Sequence, residues 1–334
     1  QSNADGRGTA HVKMDPANPY VGVKYRRGAW SVADDPSAND TDDGSPWPVV
    51  LNALIPDRKV PMGFIAAAVG STVVKQWRRG GDLYTRAMAM TKAATGGTMR
   101  VKAVLYYQGE NDITHWNKLS VLGDYEQYKT NLTAAVTDFH ADLGVPVLVG
   151  QITNLGSEVA RNDNIRRAQG EVCAGNPHAL PGAVAYDILP SDGVHYRDEA
   201  NMRAFARRWT LAMLASLYGR KECANPRLLR LSRVDDTALK LTFDRPLAIE
   251  TWDGKPAEKA LGFRVTDGGK TLTDANVLAT KVEGAEVVVR LNQPISTEAR
   301  LTYGGGNAGQ GGPVLRDAAN RLPIPMMWDV GCGM

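Results

Sequence analysis

Four runs of consecutive apolar residues, spaced by longer amphipathic stretches, constrain the first two-thirds of this chain more than any other feature. They are Val60–Val69, Val101–Tyr107, Val145–Ile152 and Ala183–Leu189. A strand that is apolar at successive positions has no face to give to water, so each run is expected inside a sheet covered on both sides. Segments near 82–94, 123–142 and 159–174 carry apolar residues at helical spacing, and a last helix is expected over about 198–218. Strand and helix in alternation predict an α/β domain with a parallel sheet between layers of helix. Such sheets bind ligands at the carboxyl ends of their strands.

Beyond Cys223 the pattern changes. Arg227–Val234, Ala238–Phe243, Gly262–Val265, Glu286–Leu291 and Ala299–Tyr303 are short, partly alternating runs separated by turn dipeptides such as Asp-Gly and Gly-Gly. Several such strands with no helix between them predict a β-sandwich. The 334 residues also exceed what one core usually serves. Two domains are therefore expected, 1–222 and 223–334, divided near the sequence ECANPR. Residues 11–45 lack periodicity and are rich in Asp, Asn, Pro and Gly. They read as a long loop, either a wall of the substrate cleft or plain surface.

Composition narrows the partners. A net charge of +3, with scattered basic residues, argues against nucleic acid and against a membrane surface. No apolar run approaches the roughly 20 residues that a spanning helix needs. The three cysteines form no CxxC and no Cys/His cluster, so no metal site is expected. Cys173 reads as a small buried side chain. Cys223 and Cys332 bracket the last third and can close it as a disulfide, which would require an oxidising compartment. A secreted or periplasmic location is the expectation.

Four short blocks carry chemistry. Ser191-Asp192-Gly193-Val194-His195 follows the last apolar run, and one turn of chain can set the Asp192 carboxylate against one imidazole nitrogen of His195, leaving the other free. Near the start, Ser2 stands among small residues and glycines, as an exposed nucleophile does. Gln1 to Ala4 also reads as the remnant of a cleaved affinity tag, although no tag supplies Asp5-Gly6-Arg7-Gly8. Gly70, just past the first apolar run, suits an N–H offered to an oxyanion or an ordinary tight turn, with Ser71 as a reserve nucleophile. In Tyr107-Gln108-Gly109-Glu110-Asn111-Asp112, the amides of Gln108 and Asn111 are both candidate oxyanion donors. Glu110 and Asp112 read as orienting or capping groups. For substrate contact the candidates are Trp77, Tyr107, Trp116 and Glu110, against the simpler reading that these side chains are packed.

Taken together these blocks resemble those of the SGNH hydrolases, and within them the sialate O-acetylesterase and acetylxylan esterase branch. That branch reads Gly-Gln-Ser-Asn-x-x-Gly around its nucleophile, matched here by Gln1-Ser2-Asn3 and Gly6. Its Gly-Gly-Thr followed by Trp is matched by Gly70-Ser71-Thr72 and Trp77, with Ser71 replacing a glycine. Tyr107-Gln108-Gly109-Glu110 and Asp192 with His195 complete the set. The resemblance covers about residues 1–218 and implies a three-layer, flavodoxin-like domain. It also implies an esterase that frees O-acetyl groups from carbohydrate through Ser2, His195 and Asp192, with Gly70 and Gln108 or Asn111 at the oxyanion and no cofactor. The C-terminal part is similar, more generally, to bacterial immunoglobulin-like modules. In one respect the chain departs from the family, where a central apolar strand runs into the nucleophile turn. Either residues upstream of Gln1 supply that strand or another segment fills its place. A lipase or thioesterase for longer acyl chains, or a non-catalytic carbohydrate-binding protein, are the alternatives to the acetylesterase.

Overall fold

The computed structural model describes residues 1–334 apart from 97–98, 157, 307, 309–310 and 333–334. The chain divides into two compact units. The first comprises Gln1–Ala183 and Pro190–Arg220, and the second Val184–Leu189 and Lys221–Met334.

In chain order the elements up to Tyr218 are α1 (Ser2–Asp5), β1 (Gly22–Arg26), β2 (Ala29–Val32), α2 (Trp47–Arg58), β3 (Met62–Ile65), α3 (Asp82–Thr95), β4 (Val104–Tyr106), α4 (Tyr125–Leu143), β5 (Val147–Gln151), α5 (Val159–Gly175), β6 (Ala179–Val184) and α6 (Glu199–Tyr218). Strands β4, β5 and β6 form one sheet in that order, with β4 and β5 parallel. β5 is buried along its whole length, as its unbroken apolar run requires. A second sheet has the order β2-β1-β3, with β1 parallel to β3 and antiparallel to β2. Helix ends follow the local chemistry. The Asp124 side chain accepts from Gln127 N at 2.8 Å to start α4, and Gly144 ends that helix in the left-handed region at φ 69°.

Two sequence expectations need correction, and one helix had no sequence expectation at all. The run Ala183–Leu189 is not the last strand, because β6 ends at Val184 and begins at Ala179. Pro181 and Gly182 suggest a turn, but β6 lies at a sheet edge, where proline is tolerated. Residues 11–45 are not all loop, since they contain the β1–β2 hairpin. Its turn residues Arg27 and Gly28 both have positive φ, 51° and 84°, a geometry not announced by Arg-Gly in sequence. Helix α2 also had no amphipathic signature. Its apolar residues surround the axis, and its prolines sit at the first turn and near the last.

β3 and β4 are end strands of their sheets, and both border an apolar cavity of about 650 Å³ lined also by Leu51, Leu54, Phe139 and Met213. Among the described residues, β3 and β4 lie in separate sheets. No helix among the described residues is long and apolar enough to cross a membrane.

The second unit holds β7 (Leu228–Asp235), β8 (Ala238–Phe243), β9 (Leu247–Glu250), β10 (Phe263–Asp267), β11 (Lys270–Leu272), β12 (Val277–Glu283), β13 (Glu286–Leu291), β14 (Arg300–Tyr303), β15 (Val314–Asp317) and β16 (Met327–Gly331). Two four-stranded sheets, β12-β13-β8-β7 and β11-β10-β14-β16, share one apolar core in which Leu239, Leu241 and Val289 of one meet Phe263, Val265 and Leu301 of the other. This is sandwich packing. Val184–Leu189 joins this unit rather than the first domain. Tyr186 donates its hydroxyl to Ile324 O at 2.8 Å, and buried Asp187 pairs with buried Arg316. Cys332 packs on the core as a free thiol, so the Cys223–Cys332 bridge does not form.

Candidate active site

Ser2 opens the single turn α1, which Gly6 closes by donating its N–H to Ser2 O at 2.8 Å. Gly6 has φ 108°, and a Cβ there would stand 2.7 Å from Gly44 O. Only glycine fits the turn that presents Ser2.

The partner of Ser2 lies 193 positions along the chain. His195 Nε2 is 3.1 Å from Ser2 Oγ, and His195 Nδ1 is 2.9 Å from Asp192 Oδ2. The other Asp192 oxygen accepts the backbone N–H of His195 at 2.8 Å and of Val194 at 3.2 Å. Ser191 N donates to His195 O at 2.8 Å, closing the loop, and Gly193 turns it at φ 87°. Partial burial raises the Asp192 carboxyl, but the His195 ring and the two N–H groups outweigh it and hold it below the ordinary carboxylate range. A hydroxyl, an imidazole and an ionised carboxylate thus stand in one hydrogen-bonded line. Such a line can move the hydroxyl proton onto the ring.

Gly70 approaches the same point. A Cβ on it would be 3.5 Å from Ser2 Cβ and 2.6 Å from Arg7 Nη2. Ser71 is exposed, with φ 57°, and His195 Nε2 bonds to Ser2 instead.

The two candidate amides divide. Gln108 is buried, and its Nε2 donates to Asp112 Oδ2 at 2.6 Å and to Thr72 O at 3.1 Å, while its Oε1 accepts the Tyr106 hydroxyl at 3.0 Å. Both amide hydrogens are committed, so Gln108 has none to offer an oxyanion. Asn111 Nδ2 donates to Ser71 O at 3.0 Å, which leaves its second hydrogen. Asp112, which the sequence marks only as an orienting group, ties these blocks together. Its Oδ2 also accepts Val74 N at 2.8 Å, and burial pushes its carboxyl up to about 6.

Three of the four candidate substrate contacts are packed instead. Trp77 is buried and donates Nε1 to Thr72 Oγ1 at 3.1 Å. Tyr107 is buried against Phe205, with its hydroxyl accepting Thr153 N at 3.0 Å. Glu110 is only 1% exposed and accepts from Asn3 Nδ2 at 3.3 Å. Their side chains have no face left for a sugar. Trp116, 76% exposed, keeps one. The role of Asn3 was not read from sequence, although it adjoins Ser2 within a recognised block. Among the described residues, no three His, Cys, Asp or Glu side chains are placed to hold a metal. Cys173 is inert as a nucleophile, since burial pushes its thiol up to about 12.

Comparison with known proteins gives the family and the fold. A probable carbohydrate esterase of Arabidopsis thaliana is 29% identical over 188 residues, covering 52% of this chain and 67% of that protein. Among solved structures, a carbohydrate acetylesterase from Xanthomonas citri superposes with a TM-score of 0.66 at 18% identity, over 94% of this chain and 74% of its own. An Arabidopsis thaliana protein gives 0.53 at 23% identity, over 65% and 95%. At these identities the two structures speak for the fold. Residues 1–215 match the model of one family, and on that match the chain belongs to the carbohydrate esterases of the sialic acid-specific acetylesterase family and is a carboxylic-ester hydrolase.

Proposed function

We propose that this esterase removes O-acetyl groups from carbohydrate by a double displacement on Ser2. One observation carries the reading: the unbroken line from Ser2 Oγ through His195 to Asp192, at 3.1 and 2.9 Å. His195 Nε2 takes the Ser2 proton as Oγ attacks the acetyl carbonyl, and Asp192 stabilises the imidazolium. The N–H groups of Ser2 and Gly70 and the free Nδ2 hydrogen of Asn111 receive the oxyanion. The intermediate collapses by breaking the bond to the sugar oxygen, which takes the proton from His195. Water, deprotonated by the same ring, then attacks acetyl-Ser2, releasing acetate and restoring the hydroxyl. Trp116 offers its indole face to the sugar. The fold likeness supports reading the parallel strands as one sheet of a three-layer SGNH domain. A secreted or periplasmic location goes with a polysaccharide substrate.

The test is acetate release from acetylated xylo-oligosaccharides and O-acetylated sialic acid, with nitrophenyl esters of increasing length beside them. Ser2→Ala and His195→Ala should each stop turnover while melting as the parent does. Full activity in Ser2→Ala, or a preference for octanoyl over acetyl, would refute the proposal.

A further inference from the structure

Asn3 makes three hydrogen bonds that together frame His195. Its Nδ2 donates to Val194 O at 2.9 Å and to Glu110 Oε1 at 3.3 Å, and its Oδ1 accepts the N–H of Tyr196 at 3.1 Å. Val194 and Tyr196 are the residues on either side of His195, and Ser2, which His195 Nε2 meets, precedes Asn3 on the same turn. The donor and acceptor pattern is saturated in one amide orientation only. Two acceptors face the nitrogen and one donor faces the oxygen. A half-turn of the amide would set oxygen against a carboxylate and a carbonyl, and nitrogen against an N–H.

Glu110 reinforces that orientation, adding a carboxylate acceptor to Val194 O and the Tyr196 N–H. It sits at the bottom of the site, 1% exposed, and Oε2 has no hydrogen-bond partner. Burial pushes its carboxyl up, and the Gln1 amino group, its own backbone N–H, the Asn3 amide and His195 offset this only in part. Its position beneath Asn3, as an acceptor that no backbone group supplies, accounts for its presence there.

We infer that Asn3 is a positioning residue that braces the base loop on both sides of His195 against the nucleophile turn, and that Glu110 reinforces the one orientation of the Asn3 amide that makes this brace. Ser2 Oγ and His195 Nε2 are then registered by one side chain between them, although they come from opposite ends of the domain's sequence. The inference rests on the Ser2–His195 reading given above.

The experiment uses the full chain and steady-state hydrolysis of 4-nitrophenyl acetate, at a temperature where circular dichroism finds each variant folded. Asn3→Ala should lower kcat about 100-fold with KM unchanged, the loss expected when reacting groups shift by an ångström. Glu110→Leu should give the same split, and Asn3→Ala with Glu110→Leu should cost little more than either alone. Glu110→Gln, which keeps an acceptor for Asn3, should recover most of the rate lost in Glu110→Leu. If Asn3→Ala does not fold, Glu110→Leu reads the same brace from its other end. A parental kcat in either, or a loss confined to KM, would overturn the inference. Activity surviving in Ser2→Ala would instead remove the reading beneath it, whereas an inactive Ser2→Ala beside a fully active Asn3→Ala removes the brace alone.

Discussion

The carboxylate of Asp192 faces His195 twice, once at the ring through Nδ1 at 2.9 Å and once at the backbone N–H at 2.8 Å. The same side chain therefore shapes the loop and orients the imidazole. Asp192→Asn keeps the loop's N–H acceptor but can present an amide N–H to Nδ1, favouring the wrong tautomer. We expect kcat to fall by up to about 10⁴-fold with an unchanged melting temperature, measured on 4-nitrophenyl acetate.

The division between the two amides of the 108–111 block has its own signature. Asn111→Ala should lose about 10²-fold or more in kcat at constant KM, because the removed donor acts on charge that develops in the transition state. Gln108→Ala should show its effect first as lost stability, since it removes one donor to buried Asp112 and leaves the Tyr106 hydroxyl without its buried acceptor. Kinetics and melts on the pair separate the two roles.

Asp112 makes stability depend on pH. Its folded carboxyl titrates at about 6, above the unfolded value of 3.8, so the folded state holds a proton that the unfolded state has already lost between these values. Stability from this group is greatest below pH 4 and declines as pH rises to about 6, by at most about 3 kcal/mol. Asp112→Asn removes the titration. Urea unfolding at pH 4, 5, 6 and 7 should show the variant gaining on the parent across that window; parallel curves would contradict the assignment.

Gly109 holds the 108–111 block in a conformation closed to other residues, with φ 149° and a would-be Cβ 2.6 Å from Ile165 Cγ2. Gly109→Ala should destabilise by about 2–4 kcal/mol through strain and overpacking together. Denaturant midpoints measure it.

Trp116 is the exposed aromatic of the set, and Trp116→Ala should raise KM for acetylated oligosaccharide about fivefold, equivalent to ~1 kcal/mol, while the melt stays within experimental spread. A small nitrophenyl ester, having no sugar ring to stack, should be hydrolysed as before.

Much of this protein was legible in the order of its residues. Unbroken apolar runs marked β3, β4 and β5, and the expected cover on both faces is complete for β5, while β3 and β4 are only partly buried. The four motif blocks named Ser2, Gly70, the 107–112 segment and Asp192 with His195, since the chemistry of acyl transfer restricts residue type at each point. Other features had no local signal. α2 is apolar all round, β6 tolerates Pro181 only because it lies at an edge, and the β1–β2 turn relies on Arg27 at positive φ.

Tertiary structure decided the rest by allotting partners. Gln108 and Asn111 carry the same amide three residues apart, and only the fold commits both hydrogens of one and spares one of the other. Trp77 and Tyr107 have the chemistry to stack on sugar, yet burial takes their faces away. Sequence determines what each side chain is able to donate, accept or cover. Which of those capacities remains open to a substrate depends on neighbours that are distant along the chain, and packing alone brings them within reach.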